Sequence, residues 1–172
     1  GRQTLGWGLE QNRLTTLAKE ADNIGYDTVM MQTSSRRSFH MDAIASLVGF
    51  NQYYGMEDFP MLRDYPVSMP AFGWDYEGLM FLSQKLKQVD ADSPFFAFFF
   101  TGTTHEPFPD PGQEFHVYPH GENEKHSYLN TLRYSDWSLQ QFMQSMQSHP
   151  AYQNTTFIFM ADHVLKAATH DK

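Results

Sequence analysis

The run Thr155-Thr156-Phe157-Ile158-Phe159-Met160-Ala161, which stops at Asp162-His163, sets the reading of this chain. It is rich in β-branched and aromatic residues and has no period of 3.6, which predicts a buried strand. A carboxylate beside an imidazole at the C-terminal end of such a strand puts two groups that resist burial where α/β sheets bind ligands. Neighbouring side chains on an extended strand point to opposite faces. Asp162 and His163 can therefore share a metal ion only where the chain turns out of the strand. The plainer alternative makes Asp162 a cap for the next segment and His163 a surface residue.

A second run, Pro94-Phe95-Phe96-Ala97-Phe98-Phe99-Phe100, carries a similar signature. It predicts a central strand buried on both faces and is too short to cross a bilayer. Thr101-Gly102-Thr103-Thr104-His105-Glu106-Pro107 follows, with a proline that blocks helix continuation. If the two strands are parallel, both polar ends lie on one edge of the sheet and His105 faces the same pocket as Asp162 and His163.

At 172 residues the chain can bury one sizeable core. Aromatics at 16% predict a core rich in Phe and Tyr. The net charge of −8, with Arg36-Arg37 the only adjacent basic pair, excludes a phosphate-neutralising groove, so no nucleic-acid partner is expected. Cysteine is absent, which removes disulfides and thiolate metal sites. No signal peptide or transmembrane run is present, and the chain opens on Gly1, like an excised piece of something longer.

Helical periodicity runs from Leu9 to Asn23, with a glycine stop at Gly25. Thr28 to Gln32 predicts a short buried strand. Ser38 is a candidate N-cap for a helix from Phe39 to Val48. Gln52 to Phe72 is loop-rich and assigned no regular structure. Asp75 to Val89 predicts an amphipathic helix, with Leu79, Leu82 and Leu86 on one stripe. Ser127 to Ser148 predicts another, with Leu132, Leu139, Phe142, Met143 and Met146 facing inward. The alternation predicts an α/β fold with a mostly parallel sheet and helices on both faces. His116 and His120 have metal-pair spacing, but Pro119 between them breaks any helix; with His126 they are expected to decorate an exposed loop. Asp136 and Trp137 are expected at a helix–sheet contact, and the methionines as core filler.

The segments MQTSSRRSFHMDAIASLVGFNQYYGMEDFP, FFAFFFTGTTHEPF, YLNTLRYSDWSLQQF and TTFIFMADH, in that order, resemble the sulfatase-fold phosphotransferases, which include lipoteichoic acid synthases and phosphoglycerol transferases. The T-H-x-P-F and A-D-H elements are the specific ones. The resemblance implies an alkaline-phosphatase-like core, here incomplete, with residues 1–172 forming the central part of one catalytic domain. It implies a divalent metal, manganese first, with magnesium, zinc or calcium as alternatives. A carboxylate–imidazole pair suits manganese or zinc better than calcium. Asp162 and His163 would be metal ligands, His105 would contact the substrate phosphate, and His170 falls where relatives also carry a histidine. The family's threonine nucleophile has no candidate here, since Thr33, Thr101, Thr103 and Thr104 follow the wrong strands. This piece is therefore expected to be inactive alone.

The substrate implied is an anionic lipid headgroup or another phosphate or sulfate ester. The implied parent protein is membrane-anchored and faces the periplasm or cell exterior. Two alternatives stay open: a sulfatase or phosphomonoester hydrolase of the same fold, and a non-catalytic sulfatase-like binding domain. Arg36 or Arg37 are further candidates for phosphate contact, with a solvated loop as the alternative.

Overall fold

The structure, a computed structural model, describes residues 15–90 and 92–163. In chain order its regular elements are α1 (Leu17–Asn23), β1 (Asp27–Gln32), α2 (Met41–Val48), β2 (Gln52–Tyr54), α3 (Asp75–Leu86), β3 (Phe95–Phe100) and α4 (Glu124–Met146). Short 3-10 turns separate several of them. The sheet has the order β2-β1-β3 and is parallel throughout, with Val29 opposite Gln52 on one side and Ala97 on the other. None of the described helices is long and apolar enough to cross a membrane.

Alternation along the strands divides the core between the two faces of the sheet. Val29 and Met31 of β1, with Ala97 and Phe99 of β3, meet Leu79, Leu82 and Leu86 of α3 and Phe142 and Met146 of α4. The leucine stripe of α3 is thus buried as its spacing predicts, each side chain contributing about 2 kcal/mol of transfer free energy. Phe96 and Phe98 point the other way, and Phe50 stacks on Phe96 at 5.6 Å. A second cluster, Trp74, Phe115 and Tyr134, lies at the start of α3, with Tyr65 stacked on Trp74 at 4.0 Å.

Several sequence expectations need correction. Thr155–Ala161 is not a strand: it runs without sheet pairing, and although Phe157 packs on Phe142, Ile158, Phe159 and Met160 are 79%, 60% and 83% exposed. Composition sets a tendency to extend, while a strand also needs a partner edge. Among the described residues β3 is an edge strand rather than a central one; its residues are half-buried or exposed, and β1 takes the centre. Residues 52–54, expected to be irregular, form β2. Ser38 caps nothing: a 3-10 turn over Ser38–His40 precedes α2, whose N-cap is His40 in the left-handed region. Leu132 is 43% exposed instead of inward-facing. Trp137 packs on Tyr76 of α3 and on Phe115 of a 3-10 turn, not on the sheet, and Asp136 is exposed. The N-terminal part of the first expected helix and His170 lie outside the described residues.

Candidate functional site

β1 and β3 are adjacent and parallel, and Gln32 stands opposite Phe100. The loops that follow them, from Thr33 and from Thr101, therefore leave the sheet on one edge, the side where open α/β sheets place their ligands. The Thr33 N–H donates to Phe100 O over 3.2 Å, so the pairing continues one residue past β1. Thr33 Oγ1 donates to Phe72 O over 2.8 Å, tying in the approach to α3. Gly102 lies so close to this junction that a Cβ there would collide with Phe72 O and stand 2.5 Å from Thr33 Oγ1.

Asp75, the first residue of α3, organises the turn after β3. It is fully buried, and its Oδ1 accepts from the N–H groups of Gly102 (2.9 Å) and Thr103 (3.1 Å). Oδ2 accepts from Ser135 Oγ of α4. The sequence reading placed Asp75 only as a helix start; an acidic residue in a first turn is ordinary, and nothing in the sequence marks this one as a tether.

His105 sits on the anchored turn. Its N–H donates to Gly102 O over 2.9 Å, its ring stacks on Phe72 at 3.8 Å, and the side chain is exposed. Nδ1 lies 2.9 Å from Glu106 O. A carbonyl only accepts, so Nδ1 carries the hydrogen. In the neutral ring Nε2 is then an acceptor, and His105 donates outward to an anion only as imidazolium.

Arg36 is occupied: Nη1 pairs with Asp58 Oδ2 at 2.5 Å, and the guanidinium lies over the Tyr53 ring. Beside it, Glu57 accepts from Ser35 Oγ and the Arg36 N–H. Partial burial pushes the Glu57 carboxyl up, but these hydrogen bonds outweigh it and hold it below the usual range. Gln32 Oε1, at the end of β1, is buried without a hydrogen-bond partner.

Asp162 and His163 end the unpaired segment, both exposed. The His163 N–H donates to Asp162 Oδ1 over 2.8 Å, and Nε2 lies 3.6 Å from Oδ2. Among the described residues no third His or acidic donor lies close enough to make these two a three-ligand group.

Three other residues do form such a group. Asp110, His116 and His120 gather with one ligand atom from each, all within 4.8 Å of one another. The sequence placed both histidines on an exposed loop and left Asp110 unremarked; the structure half-buries all three. Burial pushes the Asp110 carboxyl up, but the Gly112 N–H and His116 hold it low. His126 stands apart, paired with Glu122 at 2.9 Å and stacked on Tyr118. An open depression of about 260 Å³ is lined by Arg63, Glu114, Phe115, Arg133 and Trp137, and contains none of the candidate metal or phosphate residues named from the sequence.

A parallel sheet packed by helices, with a His-bearing turn at its C-terminal edge, is the part of the implied arrangement that the structure forms; the last strand, expected to carry Asp162-His163 to the same edge, is not in the sheet. The sulfatase family model matches residues 3–171. The chain belongs to the sulfatase family. Over 160 residues it is 22% identical to the lipoteichoic acid synthase-like protein YvgJ of Bacillus subtilis, covering 91% of this chain and 25% of that protein. It thus spans about a quarter of the length of the curated relatives it matches. A Vibrio parahaemolyticus protein of the alkaline phosphatase superfamily superposes with a TM-score of 0.70 at 18% identity, over 87% of this chain and 36% of that one. The lipoteichoic acid synthase LtaP of Listeria monocytogenes gives 0.63 at 16% identity, over 81% and 34%. Streptococcus pyogenes phosphoglycerol transferase GacH, in complex with sn-glycerol-1-phosphate, gives 0.50 at 15% identity, over 73% and 34%. These likenesses show the fold alone, an α/β arrangement shared with those proteins.

Proposed function

We propose that residues 1–172 are the central part of a sulfatase-like catalytic domain that transfers a phosphoglycerol-type group from an anionic lipid headgroup, outside the cytoplasmic membrane. The observation that carries this reading is the anchored turn after β3. Asp75 fixes Gly102 and Thr103, and His105 projects from the same turn at the ligand-binding edge of a parallel sheet. The family membership and the glycerol phosphate bound by GacH support the choice of substrate class.

In this reading His105, as imidazolium, donates Nε2–H to a non-bridging phosphate oxygen and stabilises the charge that accumulates there. Phe72 holds the ring plane and Glu106 O holds the tautomer. Asp162 and His163 would hold a divalent ion, a carboxylate and imidazole pair whose chemistry suits manganese or zinc. Such an ion, when bound, polarises a phosphoryl oxygen and lowers the pKa of an attached hydroxyl. No threonine of this chain is assigned as the nucleophile.

Turnover of a fluorescent phosphatidylglycerol by the protein carrying this chain tests the proposal. Asp162→Ala and His163→Ala should each abolish turnover, and His105→Ala should lower it by about a hundredfold, the scale of losing one preorganised donor. Unchanged turnover in the Asp162 and His163 variants would reject the metal assignment. Release of sulfate from an aryl sulfate, without lipid turnover, would favour the hydrolase alternative.

A further inference from the structure

We propose that Asp110, His116 and His120 form a second divalent-metal site, for a zinc-class ion, on the excursion between β3 and α4. The site shares no residue with the Asp162–His163 pair and stands whether or not the function proposed above is right.

Donor chemistry and geometry both support it. Two imidazole nitrogens and one carboxylate oxygen are a set that zinc and its first-row neighbours bind, whereas calcium and magnesium favour oxygen shells. Ligand atoms around a tetrahedral zinc stand about 3.3 Å apart, given zinc–nitrogen bonds of about 2.0 Å. Asp110 Oδ1 and His116 Nε2 are already 2.7 Å apart, and all three donors fall within 4.8 Å of one another. Rotation of half-buried His120 closes the remainder. Its contact with Asn130 Nδ2 is long, 3.5 Å, and easily released. The imidazoles of His116 and His120 already stack, 5.5 Å apart and 14° from parallel, so the backbone has brought them together without a helix.

Hydrogen bonds hold the segment that carries the ligands. Fully buried Asn130 of α4 accepts from the N–H groups of Val117 (2.8 Å) and Tyr118 (3.2 Å), and its Nδ2 donates to Tyr118 O (2.9 Å). One side chain thereby clamps the link between the two histidines. Phe115, next to His116, is anchored in the Trp74–Tyr134 cluster. On the third ligand, the Gly112 N–H donates to Asp110 Oδ1 over 2.9 Å, orienting the carboxylate. Metal sites are held by such neighbours as well as by their ligands. An ordinary His116–Asp110 ion pair needs neither His120 nor the clamp between them.

Equilibrium dialysis of the full chain against zinc chloride, in an Asp162→Ala/His163→Ala background, isolates this site. One equivalent of zinc should remain bound there. Adding His120→Ala should weaken binding by at least about tenfold. Asp110→Asn should do the same, while His126→Ala should leave it unchanged. Cobalt(II) in place of zinc should give visible absorption bands that His120→Ala removes. His120 is half-exposed, so its loss leaves the fold intact, and circular dichroism checks this. The absence of bound zinc in the background variant, or an affinity that His120→Ala and Asp110→Asn leave untouched, would overturn the proposal.

Discussion

Asp75 and Thr103 hold each other twice: the Thr103 N–H donates to Asp75 Oδ1 over 3.1 Å, and the Asp75 N–H donates to Thr103 Oγ1 over 2.9 Å. The first turn of α3 and the turn after β3 are thereby one unit, with Ser135 of α4 bonded to the remaining carboxylate oxygen. Removing the carboxylate leaves buried donors at Gly102, Thr103 and Ser135 unanswered, at about 1–3 kcal/mol each. Asp75→Ala should therefore cost at least about 3 kcal/mol in urea denaturation. Asp75→Asn, which keeps one acceptor, should cost less. Equal losses in the two variants would show that the hydrogen bonds are not what matters.

Asn130 makes the corresponding test on the other side of the loop. Asn130→Ala deletes the acceptor used by Val117 and Tyr118 and the donor to Tyr118 O. A loss of about 1–3 kcal/mol is expected, since the orphaned backbone groups are only partly shielded from water. Amide hydrogen exchange should quicken at residues 116–121 well before it does in β1.

Gly102 has no room for a methyl group, because Phe72 O and Thr33 Oγ1 close on it from the same side. Gly102→Ala should destabilise the fold by about 1–3 kcal/mol or more, the usual range for overpacking. Gly25, with open space around its Cβ position but a φ of +88°, should cost less on substitution by Ala, through backbone strain alone. Reversal of that order in thermal melts would contradict the close approach.

Two carboxylates near one another in sequence should titrate with opposite sign. The folded pKa of Glu57 is held low, so its contribution to stability is present above the unfolded value of about 4.3 and lost as pH falls through the folded value. Burial drives that of Glu77 up, with hydrogen bonds from Tyr65 and the Leu62 N–H offsetting only part. Its contribution is present below about 4.3 and lost as pH rises through the folded value. Denaturation across that range should show Glu57→Gln losing ground to the native chain as pH rises, and Glu77→Gln gaining it.

What could be read from the sequence follows the range of the forces involved. α3 is legible because local periodicity alone decides which face is buried; β1 is legible as a short apolar run, and α4 as a helix though not in every residue of its buried face. The His105 turn is legible because a proline and small residues follow an apolar run. The pairing of strands is not. Phe95–Phe100 and Thr155–Ala161 are both short runs of strand-favouring residues, yet the first pairs with β1 and the second leaves Met160 83% exposed. The Asp110–His116–His120 group was hidden for the opposite reason. Pro119 excludes the helical spacing that makes two histidines converge, and the convergence depends on Asn130, ten residues beyond His120. Asp75 gave no signal because its partners lie 27, 28 and 60 residues away.

The outer side of β3 carries a last implication. A ribbon of phenylalanines without charge or proline, paired with β1 on one side and with no strand on the other among the described residues, is a template that another copy can extend. Concentrating the chain should drive it to dock ribbon against ribbon, and the assembly should grow with protein concentration and not with salt. A lysine at Phe98, already 40% exposed, is the gatekeeper that would keep the copies apart.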